Sequence, residues 1–117
     1  MTSEAKPKEV LVYATTDGEE PFTAWLYGLR DAVGRKRILA RLVRLEHGNY
    51  GDCEPIGHGL SELRMFFGPG YRVYFGEHDN RIVVLLCGGD KSSQSDDIRR
   101  AKAYWKEYLD DAQAQKP

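Results

Sequence analysis

The stretch from Leu60 to Lys91, LSELRMFFGPGYRVYFGEHDNRIVVLLCGGDK, limits what this chain can fold into. It reads as three short strands joined by two tight turns. Gly68-Pro69-Gly70 makes the first turn and Asp79-Asn80 the second, because Gly and Asn tolerate the positive φ that hairpin connections require. The strand segments are rich in aromatic and β-branched residues. Alternation places Leu63, Met65 and Phe67 on one face and Glu62, Arg64 and Phe66 on the other. In the next strand Tyr71, Val73 and Phe75 share one face, and Arg72 and Tyr74 the opposite one. One sheet face is therefore apolar and the other carries two arginines, a glutamate and a tyrosine. The third strand, Ile82 to Cys87, is apolar on both faces and belongs near the sheet centre.

Around this stretch the pattern turns helical. Val10 to Thr15 alternates as a first strand. Glu19 to Asp31 reads as a helix with Pro21 in its first turn and an apolar stripe of Phe22, Trp25, Leu26 and Leu29. Gly34 is read as a break. A second helix follows from about Arg35 to His47 on Ile38, Leu42 and Leu45, stopped by Gly48-Asn49. Asn49 to Gly59 reads as loop with at most a short strand at its end. After Gly88-Gly89-Asp90-Lys91, a last helix runs from about Gln94 to Ala112 on Ile98, Ala101, Trp105 and either Tyr108 or Leu109. Its first turn carries Asp96 and Asp97. The fold class is α+β: a small, twisted, largely antiparallel sheet with an N-terminal helical hairpin and a C-terminal helix. The 117 residues form one domain, with loose tails at 1–8 and 113–117.

Charge excludes some classes and leaves others. Lys and Arg total 17 against 18 Asp and Glu, a net charge of −1, which argues against a wholly basic nucleic-acid binder but permits a local basic patch. Such a patch exists. Between Arg30 and Arg44 six basic residues face one acid, Asp31, and Arg37, Arg41 and Arg44 share a helix face. These three are candidates for contacting RNA phosphates, the alternative being a solvated helix face. The two cysteines, Cys53 and Cys87, make neither a disulfide framework nor a metal-ligand spacing, so no metal or cofactor is expected. The longest apolar run is six residues, too short for a bilayer, and the chain reads as cytoplasmic.

Taken in order, FTAWLYGLRD, RILARLVRLEHGNYGD, GHGLSELRMFFGPGYRVYF, LLCGGDKSSQSDDI and a Trp in the final helix resemble the phage-derived, HigB-like branch of the RelE/ParE toxin superfamily, the addiction-module killer proteins. The resemblance spans about Val10 to Leu109. It implies the toxin of a type II toxin–antitoxin module, neutralised by a helix-turn-helix antitoxin and touching operator DNA only through it. In the RelE and HigB branches it implies metal-independent cleavage of mRNA on the ribosome. Arg72, in GYRVY, matches the arginine that RelE-like toxins place against the scissile phosphate, and Lys91 matches the basic position after the central strand. From the residues themselves, Arg64 lies on the same face as Arg72, Tyr74 is placed to stack on a base or relay a proton, and Glu62 is the nearest carboxylate for a general base. Each also has a plainer role: an Arg72–Glu62 cross-strand pair, a core Tyr74, a turn-capping Lys91. His47, His58 and His78 sit in no motif of the family, and Ser92 to Asp97 replaces its basic C-terminal cluster. A ParE-like toxin that binds gyrase without cleaving RNA, and a non-catalytic antitoxin-binding regulator, remain open.

Overall fold

The computed structural model describes residues 6–114. The elements run β1 (Glu9–Val12), α1 (Pro21–Gly28), α2 (Ala32–Glu46), β2 (Cys53–Gly57), β3 (Leu60–Arg64), β4 (Arg72–His78), β5 (Ile82–Gly89), a single 3₁₀ turn (Lys91–Ser93) and α3 (Gln94–Ala114). The fold is α+β, with a five-stranded mixed sheet of order β1-β5-β4-β3-β2 and a C-terminal helix. The pairings of β2 with β3, β3 with β4 and β4 with β5 are antiparallel, and β1 joins β5 in parallel. No helix among the described residues is long and apolar enough to cross a membrane.

The β4–β5 connection follows from turn chemistry. Asp79 and Asn80 both adopt positive φ, 57° and 52°, in the three-residue turn between the paired His78 and Ile82, a conformation that Asp and Asn tolerate better than most residues. The strands then separate two cores. Leu63, Met65, Val73 and Phe75 lie beneath α1 and α2 with Phe22, Leu26, Ile38 and Leu45. Leu60, Tyr74, Val84 and Leu86 lie beneath α3 with Ala101 and Trp105. A bulge makes the second core possible. Tyr74 pairs with Cys87 and Phe75 with Leu85, so Leu86 is an extra residue in β5. That insertion lets Leu86 and Cys87 both reach the α3 side.

Several sequence expectations are corrected. The polar sheet face is not open, because α3 packs across it. Gly34 is not a break. The chain turns at Leu29–Asp31, where the Asp31 side chain caps α2 by accepting from the Gly34 N–H at 2.9 Å. Gly34 is buried in the first turn of α2, and a Cβ there would come within 2.4 Å of the Asp31 carboxylate and 2.9 Å of the Tyr71 ring. Its role is close approach, since the Tyr71 hydroxyl donates to the same Asp31 at 2.9 Å. Helix α1 is shorter than its pattern, ending at Gly28, and β1 stops at Val12. The segment read mainly as loop holds the edge strand β2. The expected loose tails fall partly on residues 1–5 and 115–117, which lie outside the described residues. Lys8 is not loose: its N–H donates to Glu46 O at 2.8 Å and its Nζ to Glu77 at 3.0 Å.

The α3-facing core leaves no room at Gly76, where a Cβ would sit 2.4 Å from the Trp105 ring. Gly76→Ala is expected to destabilise the protein by about 1–3 kcal/mol, the usual cost of overpacking against a rigid group. Urea unfolding with an unchanged m-value measures it.

Candidate nucleic-acid interface

The register of β3 and β4 sets Glu62 opposite Tyr74 and Arg64 opposite Arg72. Two arginines directly across a ladder repel, and they part. Arg64 turns toward the β2 edge, with Nε 3.4 Å from Asp52 and Nη2 3.3 Å from Glu54. Arg72 turns the other way. Its Nη1 donates to Gly70 O at 2.8 Å, and its Nε lies 3.7 Å from Glu62 Oε2. Nε is buried with no hydrogen-bond partner among the described residues.

Glu62 is the hub of this corner. The residue is 2% exposed, and its carboxylate accepts from Tyr74 OH at 3.0 Å and from Gln94 Nε2 at 2.8 Å. A buried carboxylate needs such donors and a counter-charge, because desolvation is otherwise costly. Tyr74 is itself fully buried. Burial, and then the Glu62 carboxylate, push its phenol well above the usual tyrosine range. Glu62 and Tyr74 therefore face each other under α3 rather than solvent. The geometry brings together Arg72, Glu62 and Tyr74 and sends Arg64 to a separate acidic pair. Gln94 was legible only as a residue of the helix start. Its bond to Glu62 requires knowing that α3 crosses this face.

The loop from Met65 to Tyr71 forms the outer wall. Gly70 N–H bonds Phe67 O at 3.2 Å, and the Lys91 N–H reaches Pro69 O at 3.5 Å. Lys91 is exposed. Its Cβ would lie 3.5 Å from a side chain placed at Gly70, whose carbonyl holds Arg72. On the other side of the loop, Phe66 is 85% exposed, and the Arg37 guanidinium lies 4.0 Å from the Phe67 ring centre. Arg37, Ala40, Arg41, Arg44, Phe66 and Phe67 line a groove of about 310 Å³. Cationic groups thus flank the loop on both sides: Arg37 and Arg44 from α2, Arg72 from β4 and Lys91 from the 3₁₀ turn after β5. An exposed aromatic ring, here Phe66, among arginines is the arrangement that single-stranded nucleic acid uses, with phosphates on guanidinium groups and bases on rings.

Arg41 differs from Arg37 and Arg44 in what it binds. It shares the groove, but its guanidinium is spent on main chain: Nη1 to Arg64 O at 2.8 Å, Nη2 to Tyr50 O at 2.9 Å and to Asp52 O at 3.3 Å. It fastens α2 to the end of β3 and to the turn before β2. The histidines stand apart from the groove. His47 is exposed with Nδ1 2.8 Å from Val43 O, His58 sits in a turn at φ 58°, and His78 contacts Asp79 and Tyr108.

Arg41→Ala is expected to cost about 1–3 kcal/mol, because it removes charged donors from partly buried carbonyls. Arg44→Ala, on an exposed side chain, should stay within about 0.5 kcal/mol. Denaturant melts of the two variants check the contrast. Burial pushes the Cys87 thiol up to about 12, and burial also raises the phenols of Tyr13, Tyr50 and Tyr74. Unfolded thiols and phenols release protons near ~8.5 and ~10. The folded chain holds protons that the unfolded chain has lost, so stability should fall steadily from about pH 8.5 toward 12. Melting temperature against pH reads this directly.

No protein-family profile matches the chain. A protein of Haemophilus influenzae, described as uncharacterized, is 46% identical to it over 81 residues, covering 69% of this chain and 82% of the relative. With that identity over that share of both sequences, the chain belongs to the same family as this Haemophilus influenzae protein.

Proposed function

We propose that this protein is a HigB-like member of the RelE/ParE toxin superfamily, acting in the bacterial cytoplasm as a ribosome-dependent mRNA endonuclease and held in check by a helix-turn-helix antitoxin. The motif order and the succession β-α-α, hairpin strands, then helix support the superfamily reading, with α1 and α2 as its helical hairpin. One observation carries the RNA reading. In a chain of net charge −1, arginines from α2 and from β4 converge on a single loop that exposes Phe66.

The chemistry assigns roles by what each group offers. Attack of a 2′-hydroxyl on the adjacent phosphorus builds negative charge on the phosphorane as the 5′-oxygen departs. Arg72 is the electrostatic clamp: planar, always charged, and fixed by Gly70 O and Glu62. Lys91 adds a mobile positive charge beside it. Arg37 and Arg44 hold the flanking phosphates, and Phe66 stacks a base. Glu62 and Tyr74 position Arg72 from below rather than meet the RNA. Their burial favours the second reading, a ParE-like toxin that inhibits gyrase without cleaving RNA, because it removes the nearest general base from solvent.

The test is mRNA cleavage on programmed ribosomes, with gyrase supercoiling assayed in parallel. The wild type is expected to cleave. Arg72→Lys keeps a cation against Glu62 but loses the planar fork, and should reduce cleavage by about 10²–10³ if Arg72 acts as a typical transition-state donor. Arg72→Ala should lose stability as well, because it leaves the buried Glu62 without its counter-charge. Wild-type protein that leaves mRNA intact and blocks supercoiling would replace the nuclease reading with the gyrase one.

A further inference from the structure

The outer edge of the sheet at β1 has the features of a strand-addition site. The Glu9 N–H bonds Arg81 O at 2.8 Å and the Tyr13 N–H bonds Leu85 O at 3.0 Å, both toward β5. Alternation along a strand therefore points the main-chain N–H and C=O groups of Val10 and Val12 away from the sheet. Among the described residues nothing pairs with them. An open edge bearing apolar side chains is usually blunted by charge, proline or a covering element. Here Leu11 and Val12 remain 36% and 39% exposed.

Grooves flank this edge on both faces, apolar on the α1/α2 side and mixed on the α3 side. On the α1/α2 side, Val10, Val12, Leu26, Leu39 and Val43 line one. On the α3 side, Leu11, Tyr13, Tyr108 and Ala112 line the other. A strand laid along β1 would send alternate side chains into the two grooves while its main chain completes the ladder, the arrangement by which sheet edges capture extended peptides. The charged residues lining the grooves have one sign: Glu46 in the first and Asp111 in the second. Next to them, β1 itself begins with Glu9, half exposed and 4.0 Å from the Arg81 guanidinium, which offsets part of its charge, so Glu46 and Asp111 carry the acidic character of the grooves.

We propose that the β1 edge binds an extended segment of another protein, apolar at successive positions and flanked by lysine or arginine. Charge decides between this occupant and a second copy of the chain. A second copy would bring a second set of the groove carboxylates, Glu46 and Asp111, to the same interface, and the nearby Lys8 is already held by Glu77. A basic-flanked foreign strand meets those carboxylates favourably. The site lies at the opposite sheet edge from β2, and it stands whether or not the chain is a toxin.

The probe is the synthetic peptide Lys-Lys-Val-Leu-Val-Leu-Lys-Lys, titrated into the full chain. Binding, with new amide-exchange protection at Val10 and Val12, is the expected result. A peptide of the same sequence N-methylated at alternate residues on the side that meets β1 should not bind. The Glu-flanked analogue should bind more weakly. Val12→Pro removes an outward N–H without touching the β5 ladder and should weaken binding about 3- to 10-fold, the share of one inter-strand hydrogen bond. The proposal is overturned by no binding up to about 1 mM peptide, or by binding that N-methylation leaves intact, which would mark a side-chain groove. It is equally overturned by tight binding of the Glu-flanked peptide, or by a β1-mediated dimer of the free chain.

Discussion

A carboxylate with almost no solvent contact sits between the sheet and its covering helix, and most of the corner around it is arranged to keep it there. Glu62 cannot stay charged beneath α3 without donors. Tyr74 from β4 and Gln94 from the first turn of α3 supply two, and the Arg72 guanidinium supplies the opposing charge. These groups fix relationships that apolar packing leaves free. They set where α3 begins relative to β3, and they aim Arg72 at Gly70 rather than across the strand at Arg64. Hydrophobic burial stabilises both layers, but it does not choose the angle of an arginine.

The same corner links fold to chemistry. The carbonyl of Gly70 holds Arg72, while the Lys91 amide bonds Pro69 in the same loop, so the two cations are tied to one short segment. Arg41 performs the matching task on the other side, joining α2 to the carbonyls of Tyr50, Asp52 and Arg64. The loop from Met65 to Tyr71 is thus braced from α2 and from the end of β5. Pre-organisation of this kind is what an electrostatic site needs, since donors already in place need not reorganise when charge develops.

How much of this was legible depended on the reach of each signal. The Asp79-Asn80 turn and the alternating strands were readable because their causes are local. The stripes of Phe22, Leu26, Ile38, Leu45, Ala101 and Trp105 were readable because helical period marks a buried face. The face assignments of Leu63, Val73, Glu62 and Arg72 also held. What was not legible was what covers each face. Alternation places Glu62 and Tyr74 opposite the apolar core but cannot tell an open face from one that α3 crosses. Gly34 looked like punctuation because its contact with Tyr71 is long-range. Arg41 looked like Arg37 and Arg44 because the carbonyls it binds lie far along the chain. The extra residue Leu86 left no mark in a run apolar on both faces.

The proposed function requires that RNA meet the protein at the Met65–Tyr71 loop. Photo-crosslinking a single-stranded oligoribonucleotide carrying a photoreactive uridine, followed by mass-spectrometric mapping of the adducts, tests that claim most directly. Adducts are predicted on the tryptic fragment that follows Arg64 and ends at Arg72, with Phe66 as the modified ring. Adducts confined to β1 or to α3, with that fragment unmodified, would contradict it.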